Sequence, residues 1–204
     1  MSTEQRTLVL ATRNPGKVRE LRELLAGLPV KVTHLGELAE PPELTETHDS
    51  FAGNAREKAL TVARATGALA LADDSGLVVE TLGGAPGVLS SRFAGEGSSD
   101  ADLVAKLLCE MQGIPDPQRT AQFVCVLVLA GAEGVIGQWE GRAVGRITTG
   151  PAGSRGFGYD PVFLYPPAGV TFAQMPPREK NRVSHRARAL EQFRRDLPEI
   201  LAHL

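Results

Sequence analysis

The sequence predicts a mixed α/β fold. Three observations carry that expectation. Short apolar runs alternate with helix-period stretches towards both ends of the chain, two long β-rich runs share a tight turn in the middle, and no repeat or low-complexity segment interrupts them. A length of 204 residues suits one large domain or two small lobes. No linker is long enough for independent domains, so a single domain over 1–204 is expected. The glycine-rich breaks near 83–87 and 150–158 are read as hinges between two lobes with a cleft between them.

"TLVLAT" (7–12) is a short apolar run that reads as a buried strand ending in a turn. Asn14 suits a helix cap and Pro15 the first helical position. Val18, Leu21, Leu24, Leu25 and Leu28 then recur at helical spacing. "VKVTHL" (30–35) reads as a second strand, and 36–50, rich in Glu, Pro and Thr, as a loop. Ser50 is placed to cap a helix from Phe51 to about Thr66. "ALALAD" (68–73) reads as a third strand, with Ser75–Gly76 turning away and "GLVVETL" extended beyond. "GGAPG" is a turn. Ser99 and Asp102 match a capping box ahead of a helix to about Met111. Residues 119–131 and 134–147 form an expected antiparallel hairpin. "PVFLY" is a short strand, and a last helix is expected from Pro177 to about Leu201 with a break at Pro198.

Composition narrows the function. A net charge of −2 gives no global attraction to nucleic acid or an anionic membrane, so phosphate binding requires a local cluster. No apolar stretch reaches the length of a membrane span. The start, "MSTEQRTLVLAT", lacks the pattern of a leader. Cys109 and Cys125 sit in apolar contexts without C-x-x-C spacing, which reads as two buried free thiols in a reducing compartment. A cytoplasmic protein with neither nucleic-acid nor membrane partners is the expectation.

Five stretches are able to carry chemistry. "TRNPGK" (12–17) follows a strand and opens a helix, where backbone N–H groups favour anions. Thr12, Asn14 and Lys17 add polar and cationic groups, although an ordinary capped helix with a surface lysine explains the same residues. "ETHDSFAGNAREKA" (46–59) places Asn54 and Lys58 on one helix face behind the loop acid Glu46, aiming a carboxylate, an amide and an ammonium at one place. The bland alternative is a solvated helix start. In "LALADDSGLVV" (69–79) two acids interrupt a small, apolar run. Neighbouring strand side chains point to opposite faces, so Asp73 and Asp74 are expected to do different jobs. A carboxylate there suits Mg²⁺, which takes a few hard oxygens plus phosphates and waters, whereas a solvated tight turn is the alternative.

"GFGYDP" (156–161) offers Phe157 and Tyr159 as flat faces for a base and Asp160 as an acceptor, in a chain only 5% aromatic. A glycine loop with core aromatics is the rival reading. "REKNRVSHRARAL" (178–190) opens a segment with seven Lys or Arg between Arg178 and Arg195. Lys180, Ser184, His185 and Arg186 form a dense donor set for phosphate or a base edge, against the default of a solvated helix face. Acids for a metal, basic groups for phosphates and aromatics for a base together point to a nucleoside triphosphate. No G-x-G-x-x-G follows the first strand, which argues against a dinucleotide-dependent dehydrogenase.

With these motifs in order, "ATRNPGKVREL", "FAGNAREKA", "LADDSGLVVETLGGAPGVLSSRFAG", "GFGYDPVF" and "EKNRVSHRARAL", the chain closely resembles the inosine triphosphate (dITP/XTP) pyrophosphatase family over nearly its whole length. The resemblance implies a long central mixed sheet flanked by helices, two lobes around a deep cleft, and a homodimer. It implies Mg²⁺-dependent hydrolysis of dITP, ITP and XTP to the monophosphate and pyrophosphate. Asp74 carries over as the catalytic base and a metal ligand, Glu46 as a second metal ligand, and Ser75 as a substrate contact. Thr12, Arg13, Asn14, Pro15, Gly16 and Lys17 resemble the phosphate loop, and Lys58 would hold polyphosphate with Lys17. Phe157, Gly158, Tyr159, Asp160, Lys180, His185 and Arg186 resemble base and substrate contacts.

Overall fold

A computed structural model describes residues 5–204; residues 1–4, the start of the stretch read as lacking a leader, lie outside them. In chain order the elements are β1 (Arg6–Leu10), α1 (Pro15–Leu25), β2 (Val30–His34), α2 (Phe51–Thr66), β3 (Leu69–Val79), α3 (Asp100–Glu110), β4 (Thr120–Gly131), β5 (Gly134–Ile147), β6 (Phe163–Tyr165), β7 (Val170–Thr171), α4 (Pro177–Val183) and α5 (His185–Ala202). The strands form a seven-stranded sheet in the order β2-β1-β3-β4-β5-β6-β7. β1 is parallel to both β2 and β3, while β6 is antiparallel to β5 and β7, so the sheet is mixed, as expected.

The chain divides into two compact units, one built from 1–74, 125–140 and 188–204, the other from 75–124 and 141–187. The divisions fall inside β3, β4 and β5 and after α5 has begun. The glycine breaks read as hinges lie within the second unit instead. Glycines there serve local turns: Gly83, Gly84 and Gly87 all take positive φ.

The first unit is layered by strand alternation. Leu8, Leu10, Leu69, Leu71, Cys125 and Leu127 pack on one face against Leu21 and Leu25 of α1 and Leu190, Phe193 and Leu197 of α5. Val9, Ala11, Ala70, Ala72, Val126 and Val128 pack on the other against Ala55, Ala59 and Val62 of α2. The small Ala side chains on both β3 and α2 let that helix lie close to the strand. In the second unit, Leu103, Val104 and Leu107 of α3 bury against Leu77, Val79, Phe123, Phe163 and Phe172.

Caps read from the sequence are present. Asn14 Oδ1 accepts from the Lys17 N–H at 3.1 Å with Pro15 opening α1, Ser50 Oγ accepts from Gly53 N–H at 3.2 Å, and Ser99 with Asp102 closes a reciprocal capping box. Three expectations fail. β3 runs unbroken through Ser75 and Gly76, because the apolar residues after them continue the ladder. The last helix breaks at Ser184, not Pro198. Ser184 is extended (φ −69°, ψ 159°) and its Oγ accepts from Ala187 N–H at 3.2 Å, which restarts the helix, while Pro198 is accommodated inside α5. Cys109 is exposed, because α3 buries its other face.

Among the described residues no helix is long and apolar enough to cross a membrane. Ser99→Ala removes one side of an exposed capping box and is expected to destabilise the fold by about 1 kcal/mol, read from the midpoint of urea unfolding at unchanged m.

Candidate active site

The two acids of β3 take opposite faces. Leu69 and Leu71 face α1 and α5, so Asp73 faces the same way; Ala70 and Ala72 face α2, and so does Asp74. Each acid meets a lysine from the helix on its own side. Asp73 Oδ1 lies 2.7 Å from Lys17 Nζ of α1, and its Oδ2 accepts from the buried Cys125 thiol at 3.2 Å. Asp74 Oδ1 lies 2.7 Å from Lys58 Nζ of α2, and its Oδ2 accepts from Asn54 Nδ2 at 3.2 Å. The main-chain carbonyl of Asp73 accepts from both lysines, at 3.3 Å from Lys17 and 3.2 Å from Lys58.

Glu46 completes this group. Its Oε1 is 2.9 Å from Lys58 Nζ. The loop that carries it is fastened to α2 at several points. His48 N–H donates to Asn54 Oδ1 at 3.0 Å, and Thr45 Oγ1 donates to Glu57 Oε1 at 2.9 Å. Gly53 permits this packing, since a Cβ there would stand 2.7 Å from His48 Cβ. The carboxylate, amide and ammonium read from 46–58 therefore do converge, and they converge on Asp74.

Burial sets the electrostatics. Asp73 and Asp74 are 1% and 5% exposed, and Lys58 is 4% exposed. Burial alone would lower the Lys58 pKa, but Asp74 and Glu46 outweigh it and hold the ammonium charged above its usual range. For Asp74, burial raises the pKa against the pull of Lys58 and Lys17, and the net direction is upward. The neighbouring cations do not fully offset the lost hydration. Such pairs are fragile to one-sided change, since removing one partner from a buried pair costs about 3–5 kcal/mol.

Thr12 is buried, with its Oγ1 accepting from Asn14 N–H at 3.2 Å, and Gly16 is buried in the first turn of α1. Arg13 and Pro15 are exposed and line an open groove of about 440 Å³ with Val18, Arg19, Arg22, Glu23 and His34. Neither side chain joins Lys17 at the acids.

The base and substrate candidates gather in the second unit. Asp160 Oδ2 accepts from Phe157 N–H at 2.9 Å and pairs with Lys180 Nζ at 2.5 Å. Lys180 Nζ also lies 5.0 Å and Arg186 Cζ 5.8 Å from the centre of the Phe157 ring. Arg186, 1% exposed, donates to Ser75 Oγ at 3.0 Å. His185 stacks on Phe123 with ring centres 4.7 Å apart.

Two roles change. Tyr159 is 3% exposed in the apolar core and its hydroxyl donates to the Ser90 carbonyl at 2.8 Å, so it is no flat face for a base; burial pushes its phenol pKa up. Asp160 uses Oδ2 to lock its own loop. The contact of Cys125 with Asp73 and that of Ser90 with Tyr159 carry no signal in the sequence, because neither partner is set by spacing. The same holds for Arg119. Its guanidinium donates to the carbonyls of Ile147, Met111 and Thr148 at 2.7–2.8 Å, tying the end of α3 to the end of β5.

The Ham1 family model matches residues 8–196. The chain belongs to the Ham1 family. Among its relatives, a protein of Syntrophobacter fumaroxidans called dITP/XTP pyrophosphatase is 48% identical over 98% of this chain and 86% of its own. One of the same name from Geobacillus kaustophilus is 46% identical over 95% of each. A HAM1 protein structure from Coxiella burnetii superposes with a TM-score of 0.87 at 40% identity, covering 96% of this chain and 100% of that one.

Gly156 and Gly158 separate two costs. Both take positive φ, +77° and +60°. A Cβ at Gly158 meets open space, but one at Gly156 would stand 2.0 Å from Asp160 Oδ2. Gly158→Ala is expected to cost about 1–2 kcal/mol from backbone strain alone. Gly156→Ala should cost clearly more and disturb the Asp160–Lys180 pair, as measured by denaturant unfolding of the two variants side by side.

Proposed function

We propose that this protein hydrolyses deaminated purine nucleoside triphosphates (dITP, ITP and XTP) to the monophosphate and pyrophosphate, cleansing the nucleotide pool. The convergence of buried Asn54, Lys58 and Asp74 with the part-exposed Glu46 carries the reading. Full-length relatives called dITP/XTP pyrophosphatase support it. A homodimer, which rests on the family resemblance, and a cytoplasmic setting, which rests on the cysteine usage, complete the reading.

The donor set suits Mg²⁺. Glu46 and Asp74 offer hard carboxylate oxygens that already face one cation at 2.9 and 2.7 Å. When bound, Mg²⁺ supplies charge neutralisation on the phosphate oxygens. Asp74 then orients a water at the α-phosphorus and accepts its proton on a carboxylate oxygen. The new bond joins that water oxygen to the α-phosphorus, and the α–β anhydride bond breaks with pyrophosphate as leaving group. Asn54, holding Asp74 Oδ2, keeps the carboxylate from rotating. Lys17, held by Asp73 at the head of α1, presents positive charge to the polyphosphate together with the N–H groups of the first turn.

In the second unit, Phe157 offers the stacking face, and Lys180, His185 and Arg186 supply donors. Hypoxanthine and xanthine carry an oxygen at purine position 6, and adenine an amino group. A site of donors accepts the first and leaves unpaired or clashing groups against the second, a discrimination that reaches about 10⁴-fold.

Asp74→Asn retains the bulk of Asp74 and is expected to keep the fold while lowering kcat for dITP by on the order of 10³-fold. Near wild-type turnover would remove Asp74 from the reaction. A substrate panel of dITP, XTP, dATP, dGTP and dUTP, read by pyrophosphate release with Mg²⁺ or with EDTA, tests the rest. Release from dITP and XTP but not from dATP, abolished by EDTA, is expected, and equal turnover of dATP would overturn the base assignment.

A further inference from the structure

Lys58 is more than a phosphate ligand in waiting. Its ammonium has three N–H groups and three acceptors, Asp74 Oδ1 at 2.7 Å, Glu46 Oε1 at 2.9 Å and the Asp73 carbonyl at 3.2 Å. Two of those acceptors are the oxygens assigned above to a divalent cation. From this we infer that Lys58 is an internal counter-ion of the metal site, and that a divalent cation binds by displacing its ammonium from Glu46 and Asp74. The inference rests on the metal reading given above.

Charge and space both favour the exchange. Mg²⁺ binds oxygen at about 2.0–2.1 Å and competes for the approach to both oxygens with an ammonium already in contact with them. The two carboxylates stay in place without Lys58. Asp74 is held through Oδ2 by Asn54, and the Glu46 loop is held by His48 on Asn54 and by Thr45 on Glu57. Lys58 itself keeps an anchor after release, since the Asp73 carbonyl lies outside the carboxylate pair. It can pivot there and present its charge to a phosphate. Lys17 does not compete, because its carboxylate partner is Asp73.

The consequence is weak metal binding by the free protein. The pair of carboxylates is already neutralised in part, so the divalent cation gains most when a polyphosphate arrives to receive the displaced ammonium. Lys58→Met keeps the stem and removes the charge.

Titration of the full-length protein with Mn²⁺ alone, followed by calorimetry, tests this. Affinity in Lys58→Met is expected to rise on the order of tenfold over wild type, the scale of a typical coupling between two binding events. Equal or weaker affinity in the variant overturns the exchange and leaves the metal reading standing. No saturable binding to either protein overturns both. If Lys58→Met fails to fold, the labelling of the wild-type protein decides. Reductive methylation of lysines, read by mass spectrometry, should label Lys58 faster when Mg²⁺ is added, with exposed Lys31 unchanged as control. Unchanged Lys58 labelling overturns the proposal.

Discussion

One constraint organises the candidate site: adjacent residues on a strand point to opposite faces. Two consecutive acids on β3 therefore belong to different layers of the first unit. Each must be neutralised from its own side, because a buried unpaired carboxylate costs several kcal/mol. Helix α1 supplies Lys17 below and α2 supplies Lys58 above. The helix caps follow from the same need. Asn14 and Ser50 fix where each helix starts, and so fix where each lysine arrives. A loss of either cap would shift a charge as well as a backbone.

Much of this was legible in the sequence. Period-2 alternation predicted that Asp73 and Asp74 diverge, and helical spacing predicted that Asn54 and Lys58 share a helix face behind the loop acid Glu46. What was not legible depended on tertiary packing. Nothing local distinguishes Tyr159, closed into the core by Ser90, from Phe157 two residues earlier, which keeps one face near Lys180 and Arg186. Pro198 is a strong local signal for a helix break, yet Leu197 packs in the core beside it and α5 continues. Ser184 is a weak signal, and it makes the break because its hydroxyl restarts the helix. The expected turn at Ser75–Gly76 failed for a related reason. Leu77 and Val79 are core residues, so the strand has to continue to bury them.

The acid site is an ion-pair network whose parts restrain one another. Asp73 presents its carbonyl to two ammonium groups while its carboxylate holds one of them. Asn54 uses its amide to hold Asp74 and its carbonyl oxygen to hold the Glu46 loop. Such sharing makes single substitutions non-additive, since each removed group leaves a partner buried without its charge or its hydrogen bond. It also concentrates orientation in a few short contacts, which suits a site where geometry outweighs basicity.

The first unit is discontinuous, and this bears on how the chain is made. Its core beneath β1 and β3 includes Leu190, Phe193 and Leu197, and Arg194 donates to the carbonyls of Leu24 and Ala26 at the end of α1. The whole of the second unit, residues 75–124 and 141–187, leaves the ribosome before these residues do. Vectorial synthesis therefore finishes the second unit's chain first and holds the face that carries Lys17 and Asp73 open until α5 emerges. The half that carries the Lys17–Asp73 pair is the half that waits for α5 to be translated.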